Sequence, residues 1–450
     1  MIPLSPIDSP LFGNTFVDTR MRKIFNFRAY LECCIKVEEA LAKVQADLGI
    51  IPQSAYKGIA ESIKNFQVDT DELQEKTAIV GYPILPLVEQ LAANAGESGH
   101  YLHWGATTQD IMDTATVLQI RDGLELIETQ VKKVNHALVT LAKKYRDTPM
   151  AGRTHLQQAL PITFGYKAAV WLSSFERHLK RLHELKPRVL VVQFSGASGT
   201  LASLGKNGLS VQNALAKRLN LGVSSITWHS IRDCLAETVQ ILALICASLA
   251  KISIDISLMM TTEMAEVAEP FVEHRGSSST MPQKRNPISC ELIIAASKMV
   301  REKAALMLDG MAVDFERATG PWHLEWIAIP ESFALTSGAL SQAAFMLGGL
   351  EVHPEKMKAN LDLTQGLIVS EAVMMALAPQ LGRQAAHDLV YDACRQALES
   401  GDSLAQVLAN TPQLNSVLDT KKIASLTDPS GYLGSAKEMV DRMINQRTGL

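Results

Sequence analysis

From Val117 the chain places apolar residues at Val117, Ile120, Leu124, Ile127, Val131, Val134, Leu138 and Leu141, alternating steps of three and four without a slip. A repeat of about 3.5 residues keeps one stripe of a helix against its neighbours, which predicts a long bundle helix packed at small crossing angles. Similar long helical stretches read around residues 162–190, 233–264, 288–310 and 325–349. Strand patterns are nearly absent. The one β-like run, Val189-Leu-Val-Val-Gln-Phe194, is short and is followed by Ser195-Gly196. The fold class read from this pattern is all-α.

The breaks divide the pattern. A helix from Ala29 to Leu48 stops at Gly49, and Pro52, a short helix near residues 70–80 and the break Gly81-Tyr-Pro83 follow. After His353-Pro354 the helices shorten and are separated by Thr364-Gln-Gly366, Pro379, Gly382, Pro412 and Asp428-Pro-Ser-Gly431. Three helical domains are expected: residues 1–110, a central long-helix bundle over 111–360, and residues 361–450. The most apolar window, Val239 to Met260, is interrupted by Gln240, Lys251 and Asp255, the two charges four apart as on a helix surface. It reads as a helix at the middle of a bundle completed by other subunits, and no membrane partner is expected.

Composition narrows the function classes. A content of 47% hydrophobic and 20% charged residues is ordinary for a globular protein. The formal net charge of −4 offers no basic footprint for nucleic acid, so any anionic substrate must be gathered locally. The six cysteines lie in helix-like contexts with no CxxC, which points to reduced thiols in the cytoplasm and against sulfur-bound metal. The opening Met-Ile-Pro-Leu-Ser-Pro has no basic n-region or apolar h-region, so no secretory signal is expected.

Three polar clusters interrupt the helices. The richest is Gly276-Ser-Ser-Ser-Thr-Met-Pro-Gln-Lys-Arg-Asn-Pro287, in which two prolines pin a loop. Its N–H groups, hydroxyls, Lys284, Arg285 and Asn286 can converge on one anionic group, although a polar surface turn would share the same composition. The second, His103-Trp-Gly-Ala-Thr-Thr-Gln-Asp110, precedes the seam helix and suits either a helix cap or a binding loop. The third, Gly152-Arg-Thr-His155, puts a lone histidine among hydrogen-bonding neighbours, as a proton donor, an anion holder or a structural residue. The glycines of residues 196–208 never form GxGxxG, Gly205-Lys206 is followed by Asn, and no HExxH occurs. Dinucleotide, P-loop and metal sites therefore lack support, and no cofactor is expected.

Taken in order, Thr107-Thr-Gln-Asp110, Gly152-Arg-Thr-His155 and Ser278-Ser-Thr-Met-Pro-Gln-Lys-Arg-Asn-Pro287 resemble the three signature regions of the fumarase/aspartase superfamily. The third matches the pattern GSSxMPxKxNP from Ser278 onward, with Ser277 standing where the pattern has Gly. The resemblance implies a homotetramer with a central helical bundle and active sites shared between subunits. It also implies chemistry through a carbanion stabilised as an aci-carboxylate. Ser278 would move the proton on carbon, with Ser277 and Ser279 as alternates, and Lys284 and Asn286 would bind the carboxylate. His155 joins Ser278 and Lys284 as a catalytic candidate. His103, Thr107, Thr108, Asp110, Arg153, Thr154, Met281 and Arg317 complete the expected substrate contacts.

Adenylosuccinate lyases carry a histidine pair where this chain reads Thr77-Ala-Ile-Val-Gly-Tyr-Pro-Ile-Leu-Pro-Leu-Val88, and an arginine where it has Trp326. The Gly-x-Pro-x-x-Pro-Leu-Val segment and Glu316-Arg317…Gly-Pro-Trp322-His-Leu-Glu325-Trp326 are instead similar to the 3-carboxy-cis,cis-muconate cycloisomerase branch. That branch implies lactonisation of a small tricarboxylate. Adenylosuccinate or argininosuccinate lysis, and a noncatalytic scaffold with the same fold, are the alternatives.

Overall fold

The computed structural model describes residues 5–317, 319–414 and 417–446. Among them are 18 α-helices and three two-stranded sheets, so the expected all-α class stands. The seam is a helix from Thr108 to Lys144, and all eight of its apolar positions are buried, Leu141 being the most exposed at 5%. Each such side chain contributes about 1.5–3 kcal/mol by leaving water, which outweighs any propensity term in the same helix. The other long stretches form helices Phe164–Val189, Asp233–Met259, Ile288–Asp309 and Pro321–Gly348. The last starts four residues before the periodic pattern. Pro321 suits the first helical position, where a missing N–H costs nothing.

Chain contacts divide the molecule into two units. One comprises residues 1–131, 178–249 and 292–341. Here helix Phe27–Asp47 starts where the Asn26 side chain accepts the Ala29 N–H, at 2.9 Å, and ends before Gly49 at φ 72°. Helix Thr70–Val80 is capped by Asp69 and closed by Gly81 in the left-handed conformation. Leu31, Leu41, Ile59, Leu87, Ile111 and Phe194 belong to the core beneath them.

The other unit comprises residues 132–177, 250–291 and 342–450. Its shorter helices, Ser370–Leu381, Arg383–Ser400 and Leu404–Ala409 among them, surround Val373, Leu377, Val390, Leu404 and Leu408. Gly382 separates the first two at positive φ as the punctuation predicts, Gly401 ends the second at φ 77° without having been marked as a break, and Pro379 lies inside the first. Ser403 and Gln406 form a reciprocal capping box.

The strand reading needs correction. Of the expected run only Val191–Val192 is a strand, paired in parallel with Gly222–Val223. The substantial sheet is an unforeseen antiparallel hairpin, Pro149–Thr154 with Gln157–Thr163. An irregularity between Ala151 and Arg153 breaks its alternation. Gly152 is required there, because a Cβ would lie 2.5 Å from the Leu160 carbonyl oxygen.

Candidate active site

In the first unit the His103–Asp110 segment is organised by a buried carboxylate. Asp110 is 1% exposed, and its oxygens accept the N–H groups of Thr107 at 3.0 Å, Ser195 at 2.9 Å and Gly196 at 2.9 Å. His229 Nε2 adds a fourth donor at 2.8 Å. Four partners offset the desolvation of one carboxylate. Asp110 therefore locks the 195–196 loop to the start of the seam helix, and its oxygens are spent inside the protein. The Thr107 hydroxyl accepts Arg317 Nη1 at 2.7 Å, while Arg317 Nη2 donates to the Ala197 carbonyl. Arg317 and Thr107, 210 residues apart, are thus brought together, with Thr108 half-buried beside them at the helix start.

His103 sits at φ 56°, its Nδ1 2.6 Å from Oε1 of the fully buried Glu38, whose other oxygen accepts the His103 backbone N–H at 3.2 Å. Burial alone would lower the histidine pKa, but the Glu38 charge and hydrogen bond outweigh it and raise the pKa above 6.5. A histidine raised in the folded state stabilises it below pH 6.5, and that stabilisation is lost as pH rises through the folded pKa. We expect Glu38→Gln to remove this fall in stability. Melting temperatures of both proteins from pH 5.5 to 8.5 test it, and parallel curves would refute the charged pair.

A larger buried network lies in the same unit. Arg232 donates through Nε and Nη2 to Glu325, at 2.8 and 2.5 Å, and through Nη1 and Nη2 to Asp113, at 2.8 and 2.9 Å. Trp322 Nε1 and Gln109 Nε2 complete the Asp113 shell. Burial pushes the Glu325 carboxyl up against the pull of Arg232. The sequence reading missed Glu38, His229, Arg232 and Asp113 as organising residues. Glu38 and Asp113 are marked locally by charge at helix positions that prove to be buried, whereas His229 and Arg232 lie in the irregular segment before helix Asp233–Met259 and carry no local signal.

The second unit holds the other two clusters. In the hairpin, Arg153 forms a two-pronged pair with Glu266, at 2.7 and 2.9 Å, and Asn360 donates to the same fully buried carboxylate. Arg153 therefore braces the hairpin, and its charge is already matched. Thr154 and His155 are exposed at the turn. His155 and Leu156 both have positive φ, 50° and 62°, the two-residue geometry usually met by Asn-Gly. Holding ordinary residues there costs about 1–3 kcal/mol each, a strain sustained by the surrounding ladder and the Arg153 brace. The result is an imidazole carried at the tip of a fixed hairpin.

The 276–287 loop is pinched at its neck. Asn286 donates its N–H to the Gly276 carbonyl at 3.0 Å, and Ser277 bridges Arg285. Gly276, at φ 70°, has no room for a Cβ, which would stand 2.7 Å from Asn286 O. Arg285 does not turn into the loop as its position suggested. It grips both Glu351 oxygens, at 3.0 and 3.1 Å, and the Glu269 carbonyl at 2.7 Å. Glu269 in turn accepts the Ser289 and Cys290 N–H groups, so the start of helix Ile288–Asp309 is already capped by a carboxylate. Within the loop, Ser278 Oγ accepts the backbone N–H groups of Thr280 at 3.3 Å and Met281 at 3.2 Å. Ser278 is half-buried, while Ser277, Ser279, Met281 and Lys284 are exposed. Two N–H dipoles aimed at a hydroxyl oxygen stabilise its alkoxide and so favour proton transfer.

Among the described residues no group of three or more His, Cys, Asp or Glu is placed to hold a metal, and all six cysteines are free thiols.

Residues 15–301 match the family described as Lyase, and residues 366–443 match the adenylosuccinate lyase C-terminus. A crystal structure of fumarate lyase from Mesorhizobium sp. BNC1 is 59% identical, with a TM-score of 0.92, over 97% of this chain and 100% of that one. Trans-aconitate decarboxylase 1 of Mycosarcoma maydis is 47% identical over 97% of this chain and 88% of its own. The 3-carboxy-cis,cis-muconate cycloisomerase of Acinetobacter baylyi is 41% identical over 98% of this chain and 99% of its own.

Proposed function

Since the chain belongs to the lyase family of the fumarase/aspartase superfamily and is an enzyme of isomerase or lyase type, we propose that it lactonises 3-carboxy-cis,cis-muconate. One carboxylate of the substrate adds to a double bond within the same molecule, and a proton is delivered to the carbon beside another carboxylate, giving 4-carboxymuconolactone. The attacking carboxylate needs no base, because its reference pKa of about 4.3 leaves it ionised at neutral pH. The demanding step is protonation of carbon through an aci-carboxylate. The observation that carries the reading is the Ser278 hydroxyl, held by two backbone N–H groups in a pinched loop that also contains Lys284 and Asn286.

Ser278 donates the proton, and Lys284 and Asn286 bind the carboxylate on which charge develops. Arg317, Thr107, Thr108 and His103 hold the remaining carboxylates, with His155, Thr154, Ser277, Ser279 and Met281 around the substrate. Asp110 and Arg153 act by bracing these groups. A homotetramer in the cytoplasm, with sites shared between subunits, completes the proposal. Its support is the helix Asp233–Met259, which buries Val239, Leu242, Cys246, Leu249 and Ile256 yet leaves Leu244, Ile254 and Leu258 41–47% exposed.

The 47% identity to trans-aconitate decarboxylase 1 favours a second reading. Both named substrates are unsaturated tricarboxylates, and decarboxylation also ends with a proton placed on carbon. Assays with each substrate separate the two. Loss of the diene ultraviolet absorbance without CO₂ release supports lactonisation, whereas CO₂ from trans-aconitate, with the muconate untouched, replaces it. Because Lys284 and the loop dipoles supply the positive charge, prolonged EDTA treatment is expected to leave turnover unchanged. A loss that Mg²⁺ or Mn²⁺ restores would overturn the metal-free mechanism.

A further inference from the structure

We propose that Glu38 is a positioning residue for substrate binding: it turns His103 so that Nε2 faces outward as a hydrogen-bond donor to a substrate carboxylate, and thereby makes carboxylate affinity fall as the pH rises. The proposal rests on the assignment of His103 to a carboxylate contact and adds the group that controls it.

Helix Phe27–Asp47 carries two polar side chains, Glu38 and Gln45, that are 1% and 0% exposed. Two turns of helix separate them, so they share one face, where a core ordinarily takes apolar residues. Both are spent on the same turn. Glu38 accepts the His103 backbone N–H through Oε2 at 3.2 Å and meets Nδ1 through Oε1 at 2.6 Å, while Gln45 Nε2 donates to the Trp104 carbonyl at 2.6 Å. Three contacts from one helix thus hold His103 at φ 56°, a backbone conformation that residues other than glycine seldom adopt. The ring is fixed as well. Nδ1 faces a fully buried carboxylate, so the opposite edge carries Nε2, which has no partner among the described residues and is not shielded from solvent. A quarter of the His103 side chain, 24%, stays exposed.

The charged groups facing the ring are Glu38 and, at the head of helix Thr108–Lys144, Asp110, both acidic. They favour the imidazolium, whose Nε2–H donates to a carboxylate with the help of its charge. Once the ring is neutral, the remaining proton is the one Glu38 holds on Nδ1, and Nε2 turns a lone pair toward the ligand. Deprotonation therefore replaces attraction by repulsion at one atom. Glu38→Gln alters this, because its amide can donate to Nδ1 while its oxygen keeps the backbone N–H. Nε2 then carries the proton of the neutral ring.

Tricarballylate, a saturated tricarboxylate with no double bond to react, is the probe. Calorimetric titration of the full-length protein from pH 6.5 to 9 is expected to show its Kd rising at least about tenfold. Glu38→Gln should bind it about tenfold more weakly at pH 6.5 and change less than about twofold up to pH 9. His103→Gln should also lose the slope, and adding Glu38→Gln to it should change Kd less than about twofold, which a merely structural Glu38 would not produce. A Kd independent of pH in the parent protein, a slope kept in Glu38→Gln, equal losses from Glu38→Gln in both backgrounds, or no binding of tricarballylate would each overturn the proposal. Should Glu38→Gln not fold, a slope that survives in His103→Gln still overturns it. A parent slope that Glu38→Gln abolishes, in a protein that leaves the muconate untouched, would uphold the proposal and remove only the lactonisation reading.

Discussion

Replacing Ser278 by alanine is expected to leave a folded protein and to lower kcat by at least about a hundredfold, or roughly 2.7 kcal/mol in the barrier. The change removes one oxygen from a half-buried position in a loop whose shape is set elsewhere. The neck is held by Asn286 to Gly276 and by Arg285 to Glu351 and Glu269, none of which involves the serine hydroxyl. Thermal unfolding should therefore coincide with that of the parent protein. What disappears is the group proposed to carry the proton, and the Thr280 and Met281 N–H groups then face an empty position. Steady-state rates of Ser277→Ala, Ser278→Ala and Ser279→Ala, measured side by side, decide the assignment. Near-normal turnover in the Ser278 variant alone would transfer the role to whichever neighbour fails.

The largest stability effect is expected at Arg232. Arg232→Ala should cost about 3–5 kcal/mol, because it leaves two buried carboxylates facing each other without a cation. Arg232 and Asp113 are 1% and 3% exposed at the side chain, so water cannot take over the lost charge. Glu325, whose carboxyl is already pushed up by burial, should then protonate, which limits the loss without cancelling it. Urea unfolding of the variant measures the cost. Neutralising the partners at the same time, in Arg232→Met, Asp113→Asn, Glu325→Gln, should recover much of it, since isolated charge rather than lost packing is the main penalty. A loss below about 1 kcal/mol for Arg232→Ala would mean that the network is hydrated and contributes no more than a surface pair.

Both residues show where linear information stops. Ser278 is the candidate that the chain alone singles out, through motif order and the spacing to Met281-Pro282. Arg232 is not singled out, for its partners Asp113 and Glu325 are 119 and 93 residues away. The hairpin was missed for a related reason. Gly152 interrupts the alternation of the first strand, and His155-Leu156 carries none of the turn chemistry that marks a two-residue loop.

The seam from Val117 to Leu141, the long helices and their glycine stops were written in local periodicity, since a helix with one buried stripe must repeat its apolar residues every three to four positions. The allocation of charge depended on folding. Lys284, Arg285, Arg153 and Arg317 are interchangeable as formal charges along the chain, yet Arg285 and Arg153 are matched to Glu351 and Glu266, and Arg317 meets Thr107. An ion pair is chosen by distance in space and by the water it excludes, and neither quantity is encoded in the spacing of residues along the backbone.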